Sequence, residues 1–302
     1  MSEDCYFAKF ISVRSREDLV KLRGSKYLQA KLGNTYRYVK SDLMSGKMVL
    51  FSGTGCQVNG LKRFLGKEYD NLICVDMICH GVPSPALWCE YAKYQERKNN
   101  GKLKGVNFRC KDNCWVDFGM REIINRISEG DIKKLYISKD TDSYMQMFLR
   151  NYCLRPSCYE CVAKEVKTSD LTIADFWGIN NVAPEMNDGM GASLVLVRTS
   201  KGENVFKSIR TDIQLKAVIY EESIKGNSAE FKSCARPLQR DMFFKDMNRM
   251  SFEELEKKYA TSGDRTFYAK IKRKTKSIIK NFGDGANRKH NEEYGLLFVF
   301  HI

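Results

Sequence analysis

The sequence lacks any long apolar segment. No stretch approaches the roughly 18 consecutive apolar residues of a transmembrane helix. The first ten residues, MSEDCYFAKF, also lack the basic and then apolar pattern of a secretory signal. Together these two absences predict a cytoplasmic protein.

The cysteines do not form an even set. The chain has 11 of them, and an odd number in a chain of 302 residues argues against a disulfide framework. In a reducing compartment, clustered cysteines are more typical of metal, iron–sulfur or redox sites. We expect the cysteines outside the candidate site to be small buried apolar residues: Cys5, Cys74, Cys89, Cys110, Cys114 and Cys234.

Acidic charge is scarce near the C-terminus. The formal net charge is +14, and half of it lies in residues 265–280, which contain seven basic residues and no acidic one. Because the rest of the chain is only mildly basic, no nucleic-acid partner is expected. Apolar residues are interleaved with the basic ones, so a peripheral contact with an anionic membrane surface stays open beside a solvated tail.

Residues 47–78 carry the clearest folding pattern. KMVLFSG (47–53) and LICVDMI (72–78) are short apolar runs typical of buried strands, and the segment between them has helical spacing. This length fits a parallel βαβ crossover. Later segments indicate antiparallel strands and helices, so the expected class is α/β combined with α+β.

Residues 52–57, SGTGCQ, join the first of these strands to the helix. Glycine-rich turns at a helix N-terminus offer backbone N–H groups to phosphate, and Gly53 and Gly55 remove side chains that would block close approach. The loop matches neither the Walker pattern nor the dinucleotide fingerprint. An ordinary tight turn is therefore the simpler interpretation of these residues alone.

Two thiols follow the two predicted strands. A helix N-terminus favours the thiolate form of a cysteine, which makes Cys56 a candidate ligand or nucleophile. Cys79 ends the second strand, 23 residues later. Because loops after neighbouring parallel strands meet at one edge of the sheet, we expect the two thiols to lie close together.

Residues 153–161, CLRPSCYEC, carry the strongest local signal. Two residues separate Cys158 from Cys161, the spacing by which two thiolates hold one metal ion or cluster. A plant-type ferredoxin site would need a fourth cysteine close downstream, and the next one is 73 residues away. With Cys56 and Cys79, this pair would complete a four-thiolate set for an iron–sulfur cluster or for structural zinc.

Two further segments contain candidate binding residues. DFWG at 175–178 places a carboxylate and aromatic rings at a strand end, so Asp175 and Trp177 are candidates to flank a planar ligand. A buried tryptophan beside a turn-capping aspartate is the alternative. His80 is of the type that titrates near neutrality, although a hydrogen-bonded turn histidine fits equally well.

Five motifs in this order resemble the coenzyme F420 hydrogenase/dehydrogenase beta subunit family, in its bacterial branch often found with polysaccharide-synthesis genes. They are GSKYLQAKLG, LFSGTGCQVNGLKRFLG, VDMICHGVPSP, LRPSCYEC and SDLTIADFWGI, and the resemblance covers roughly residues 1–245. It implies an iron–sulfur flavoprotein oxidoreductase with FAD and a [4Fe–4S] cluster. Such a protein passes electrons between a two-electron carrier, coenzyme F420 or similar, and a ferredoxin-like or other redox partner.

The resemblance also implies residue roles. It assigns the cluster to Cys56, Cys79, Cys158 and Cys161, with Cys153 in reserve. The candidate cofactor-binding residues are Ser25, Lys26, Gly53, Thr54, Gly55, Gln57, His80, Asp175 and Trp177.

Two departures from the family pattern bear on this expectation. The family usually has proline where this chain has Gly55, and glycine is expected to loosen the loop and weaken flavin binding. Related bacterial proteins usually begin with a ferredoxin-like segment that is not found here, so we expect a shortened member that uses a separate ferredoxin or has lost electron transfer.

The expected organisation is a flavin lobe over residues 1–140, an iron–sulfur lobe over 141–250, and a basic, mostly helical peripheral tail over 251–302. A non-catalytic, zinc-stapled partner in a polysaccharide-biosynthesis complex is the alternative of another class. A flavoenzyme acting on a sugar or lipid-linked intermediate is a third.

Overall fold

The computed structural model describes residues 1–2, 5–112, 115–127, 131–260 and 297–300. Its strands are β1 (Ala8–Lys9), β2 (Ala30–Lys31), β3 (Val49–Thr54), β4 (Leu72–Met77), β5 (Gly101–Cys110), β6 (Gly119–Arg126), β7 (Ile132–Ser138), β8 (Leu171–Asp175), β9 (Ser193–Val197), β10 (Leu215–Ala217) and β11 (Leu297–Phe300). Its α-helices are α1 (Thr35–Met44), α2 (Gly55–Leu65), α3 (Pro85–Lys98), α4 (Ser143–Leu149), α5 (Ile179–Val182), α6 (Ser200–Ser208), α7 (Tyr220–Ser223), α8 (Arg240–Met247) and α9 (Phe252–Leu255). Short 3-10 helices include Glu17–Leu22, Pro156–Cys158 and Val162–Lys164, and a π-helical turn spans Glu256–Ala260.

The largest sheet has six strands in the order β10-β11-β9-β8-β4-β3. Strands β3, β4 and β8 run parallel, whereas β9, β11 and β10 continue the sheet with antiparallel pairings. The predicted crossover is confirmed as β3–α2–β4. Parallel and antiparallel strands together with helices give the mixed α/β and α+β class that the sequence predicts.

Helix α2 covers one side of the parallel strands because its apolar residues recur at helical spacing. Val58, Leu61 and Leu65 are buried and pack with Phe51 of β3 and other apolar residues. The helix ends at Gly66, whose φ of 72° is the left-handed conformation that favours glycine at a helix C-terminus. This packing fixes the direction of α2 and therefore the position of its N-terminus.

A second layer is built from an antiparallel sheet and helices. Strands β5, β6 and β7 pair in sequence order. The large apolar core of this layer includes Trp88 and Tyr91 of α3, Phe108 of β5 and Tyr144 of α4, all without solvent exposure. Aromatic packing of this kind buries much apolar area in a small volume.

The predicted division at residue 140 is not visible in the strand pairing. Strand β4 pairs with β8, so the two predicted lobes contribute strands to one sheet. The prediction of a peripheral tail from residue 251 is wrong for the residues that are described. Phe252, Leu255 and Tyr259 are buried in the large core, and β11 lies between β9 and β10.

The basic segment 265–280 lies outside the described residues. Within the described part of the chain, no helix has the length and apolar character needed to cross a membrane.

Candidate functional site

A cleft of about 2340 Å³ opens over the carboxyl ends of the parallel strands. Met77 of β4 and Ile173 of β8 are register partners in its wall and are 40% and 37% exposed. The faces of parallel sheets are normally covered by other parts of the protein. The exposed apolar side chains of Met77 and Ile173 therefore offer a surface on which a ligand could pack. The cleft exceeds the usual volume of a small-molecule pocket, roughly 300–1,000 Å³, and has room for a dinucleotide.

The glycine-rich turn forms the N-terminus of α2 at this cleft. Gln57 Oε1 accepts a hydrogen bond from the Thr54 backbone N–H at 2.9 Å, and the Thr54 side chain caps the helix in return. Gly53 permits this fold-back, because a Cβ there would lie 3.0 Å from Gln57 Oε1. Thr54 and Gln57 line the cleft and also fix the start of α2.

All four candidate thiols line one small pocket at the base of the cleft. Cys56 is in the first turn of α2, Cys79 follows β4, and Cys158 and Cys161 flank the short turn that precedes Val162–Lys164. Burial raises the pKa of Cys79 to about 12, and the nearby thiols of Cys158 and Cys56 add to this effect. The parallel pairing of β3 and β4 thus places two thiols beside the CxxC pair.

Besides the four thiols, Asp76, His80 and Glu230 line this pocket. In the described residues, no three His, Cys, Asp or Glu side chains converge closely enough to hold a metal ion. A single zinc ion needs its sulfur ligands about 2.3 Å from one centre, whereas a [4Fe–4S] cluster takes thiolates on separate irons and holds them farther apart. The four thiols line one pocket, and thiolate sulfur is a ligand that both structural zinc and iron–sulfur clusters use.

Gly55 allows close packing beside the thiol pocket. A Cβ at this position would lie 3.0 Å from Asp76 Oδ2 and 3.1 Å from the Cβ of Ala163. The start of α2 is thereby held against the segment that follows Cys161. The glycine thus permits tight contact here, whereas the sequence suggested a loosened loop.

Lys164 brings a cation to the same pocket. Its Nζ donates to the backbone carbonyl of Cys79 at 2.6 Å and to that of Ala229. The ammonium group therefore ties three chain segments together next to the thiols. Its charge is positioned to offset part of the negative charge that bound thiolates would bring.

The GSKY loop also lines the cleft. Ser25 is exposed there, and Lys26 Nζ donates to the backbone carbonyls of Arg23 at 2.7 Å and Gly24 at 3.1 Å. Burial lowers the pKa of Lys26. Its side chain closes the preceding turn, so the ammonium group is engaged by the backbone.

His80 lines the cleft between the thiols and α4. Its Nε2 lies 2.7 Å from Oδ1 of Asn151, and its ring contacts Phe148 edge-on at 5.4 Å. Burial lowers the pKa of His80 from its ordinary value. The neutral ring is favoured, as in a hydrogen-bonded turn histidine.

The far end of the cleft contains the DFWG segment. Asp175 pairs with Arg109 Nη2 at 3.0 Å and with Lys111 Nζ at 3.1 Å, and Trp177 packs on Trp115 with ring centroids 4.8 Å apart. Sequence reasoning identified Asp175 and Trp177 but missed Arg109, which lies in no motif. Only the packing of β5 near the end of β8 reveals it.

Two other cysteines differ in position from the four thiols. Cys153, the reserve ligand, is fully buried in the large core, and burial raises its pKa to about 12. Cys234 was expected to be structural, yet its Sγ lies 3.5 Å from the carbonyl of Cys158. Burial raises the pKa of Cys234 to about 11, and the Cys158 thiol adds to the effect. Because Cys234 is 76 residues from Cys158 in the sequence, no local pattern predicted this contact.

Residues 46–222, more than half of the chain, match the family model that describes the C terminus of the coenzyme F420 hydrogenase/dehydrogenase beta subunit. The chain belongs to this family. Membership supports a redox role of the kind performed by these beta subunits. The matched region contains all four candidate thiols, the turn before α2 and the DFWG segment. No curated protein matches the sequence significantly.

Proposed function

We propose that this chain is an FAD- and [4Fe–4S]-containing oxidoreductase subunit. It passes electrons between a two-electron carrier, coenzyme F420 or a similar molecule, and a one-electron iron–sulfur partner. Family membership supports the redox role. The observation that carries the cofactor proposal is the placement of four thiols from three chain segments around one pocket at the base of a large cleft.

The residues of the pocket would hold the cluster, and the turn before α2 would hold the flavin. Cys56, Cys79, Cys158 and Cys161 supply four sulfur ligands, and Lys164 supplies a compensating charge. The first turn of α2 presents backbone N–H groups whose positive helix end suits the FAD pyrophosphate. Thr54 fixes that turn through its capping interaction.

The chemistry belongs to the cofactors: a bound flavin exchanges a hydride and a bound cluster carries single electrons. The chain would hold the two cofactor sites side by side. Cys56 belongs to both sites, since it lies in the first turn of α2 and lines the thiol pocket. A ferredoxin-like protein is the proposed partner for the single electrons.

The first experiment is an absorbance spectrum of anaerobically purified full-length protein, with iron, zinc and acid-labile sulfide analysis. We expect flavin bands, a broad cluster shoulder and about four irons per chain, as the [4Fe–4S] composition requires. A colourless protein with one zinc would reject this proposal and support the zinc-stapled partner protein.

A pair of variants tests the ligand assignment. Cys158→Ser removes a thiol from the pocket and should strongly reduce the iron content. Cys74→Ser is the matched control, because that buried thiol lies in the apolar core beside α2 and does not line the pocket. Equal iron loss in the two variants would contradict the assignment of Cys158.

A further inference from the structure

A segment that follows the family-model match lies along the thiol-bearing turn. The match ends at residue 222, and residues 228–240, here called the strap, lead from the short helix Ser228–Glu230 to the start of α8. Membership of the family therefore assigns no role to the strap. Its contacts with residues 151–167 indicate what it does.

Hydrogen bonds anchor the strap on both sides of the CxxC turn. After the turn, Lys167 Nζ donates to the backbone carbonyl of Glu230 at 2.6 Å. Before the turn, the carbonyl of Leu154 accepts a hydrogen bond from Arg240 Nη2 at 3.0 Å, and Arg240 is only 9% exposed. The strap is therefore fixed against both ends of the segment that carries Cys158 and Cys161.

Two consecutive residues of the strap contact the two cysteines of the CxxC pair. The Cys161 backbone N–H donates to Ser233 Oγ at 2.9 Å. The Cys234 thiol donates to the Cys158 carbonyl, with Sγ 3.5 Å from the oxygen. Ser233 and Cys234 are both half-buried. These two bonds engage the backbone of Cys158 and Cys161 and do not involve the sulfur atoms of the pair.

The Cys161 N–H depends on the strap for its hydrogen bond. Cys161 lies between the short helices Pro156–Cys158 and Val162–Lys164, so its N–H is not bonded within either of them. Among the described residues, its acceptor is Ser233. A backbone N–H that loses its acceptor costs free energy, and a metal ligand that loses an outer hydrogen bond is held less firmly.

We infer that Ser233 and Cys234 are positioning residues for the metal centre of the thiol pocket. Ser233 fixes the backbone of Cys161, and Cys234 fixes that of Cys158, so that both sulfur atoms keep the orientation that a bound centre requires. Each residue acts through the cysteine that it contacts. The inference rests on the part of the proposed function that assigns a metal centre to the four thiols.

Iron release to a chelator measures how firmly the centre is held. Anaerobically purified full-length protein is analysed for iron, zinc and acid-labile sulfide, and iron release to bathophenanthroline disulfonate is then followed by absorbance. The test variants are Ser233→Ala and Cys234→Ala, each of which removes one of the two hydrogen bonds. Ser233→Thr keeps the hydroxyl group. Ser228→Ala is the matched control, because Ser228 is exposed at the start of the strap.

We expect Ser233→Ala to release iron roughly 10-fold faster than wild type, in line with the usual loss of affinity when an outer hydrogen bond to a metal ligand is removed. The visible circular dichroism of the cluster should change with it, because the orientation of the Cys161 sulfur changes. Cys234→Ala should have a smaller effect, since a thiol is a weak donor. Ser233→Thr and Ser228→Ala should stay within about twofold of wild type.

Four other outcomes would contradict these expectations. Wild-type release by Ser233→Ala, or equal acceleration in Ser228→Ala, would overturn the inference and leave the proposed function intact. Complete iron loss in Cys234→Ala would make Cys234 a ligand and overturn its positioning role. Wild-type protein with zinc but without iron or sulfide would overturn the proposed function, and zinc release from the same variants would then decide the inference. Wild-type protein without metal would overturn both.

Discussion

Buried carboxylates form two groups with their partners in different parts of this molecule, and the two groups are stabilised in different ways. Glu230, 1% exposed, borders the thiol pocket and pairs with Arg198 Nη2 at 2.5 Å and Lys167 Nζ at 3.3 Å. Glu122 and Asp142, 0% and 1% exposed, lie in the helix-rich core and share the hydroxyl of Tyr91 at 2.7 Å and 2.6 Å. Among the described residues, the first group contains cations and the second contains none in direct contact.

The number of protons available for hydrogen bonding shows how the group without cations is stabilised. Gln95 donates to the Tyr91 oxygen at 2.9 Å, and that hydroxyl has a single proton to give. The second short contact to a carboxyl oxygen is a hydrogen bond only if that carboxyl is protonated. Burial raises the pKa of Glu122 to about 7 and that of Asp142 to about 6, which agrees with a retained proton. A buried acid is thus accommodated either by cations or by a proton.

Removing the charge of Glu230, which is paired with two cations, should cause the largest loss of stability. Glu230→Gln leaves Arg198 and Lys167 largely buried without their shared counter-charge, so we expect a loss of about 3 kcal/mol in the free energy of unfolding. Urea denaturation followed by circular dichroism measures it. A loss below roughly 1 kcal/mol would show that solvent already neutralises these cations.

The proton-retaining group should respond to pH with a defined sign. Because the folded pKa values of Glu122 and Asp142 are raised, their stabilising contribution is complete below the ordinary pKa values of 4.5 and 3.8. It is lost as pH rises through about 6 and 7. Glu122→Gln removes one titration, so the variant should be about 2–3 kcal/mol more stable than wild type at pH 8 and have no advantage at pH 4.

Denaturation curves at several pH values from 4 to 8 test this sign. The matched variant is Glu230→Gln, whose difference from wild type should not disappear on acidification to pH 5. If the two variants show the same pH dependence, the proposed contrast between the two groups is wrong.

Removing the Tyr91 hydroxyl, which Glu122 and Asp142 share, should cause an intermediate loss of stability. Tyr91→Phe deprives two buried carboxyl groups of a hydrogen-bond partner, so we expect a loss of about 1–2 kcal/mol at neutral pH. Thermal unfolding of wild type and variant provides the comparison. An unchanged melting temperature would indicate that the carboxyl groups bond each other directly once the hydroxyl is gone.

An exposed ion pair should have the smallest effect. Glu185 contacts Lys216 at the surface, where both side chains are about half exposed and water screens the interaction. Glu185→Gln should leave the unfolding midpoint unchanged within experimental error. A measurable shift would mean that pairing, and not burial, determines the larger losses.

Sequence reasoning located the thiols because their positions follow from local patterns. Two apolar runs with a helical segment between them predict β3, α2 and β4, and parallel strands place Cys56 and Cys79 at one edge. Cys158 and Cys161 were identified separately, because a gap of two residues is typical of cysteines that bind one metal ion or cluster. The ligand roles of these cysteines stay predictions.

The same reasoning could not locate side chains that meet through packing. Arg109 and Asp175 are 66 residues apart, and no motif connects them. The packing of Gly55 against Asp76 and Ala163 is equally invisible in the sequence, where the glycine suggests a loose turn. Such contacts depend on how separate elements pack, which local spacing does not determine.

The sequence by itself determined the βαβ unit and the candidate thiols, because these follow from periodicity and from local spacing. Tertiary structure decided which strands share the main sheet and which buried acids meet a cation. The physical reason is that desolvation and charge pairing are set by the neighbours that folding brings together. Those neighbours come from segments tens of residues apart.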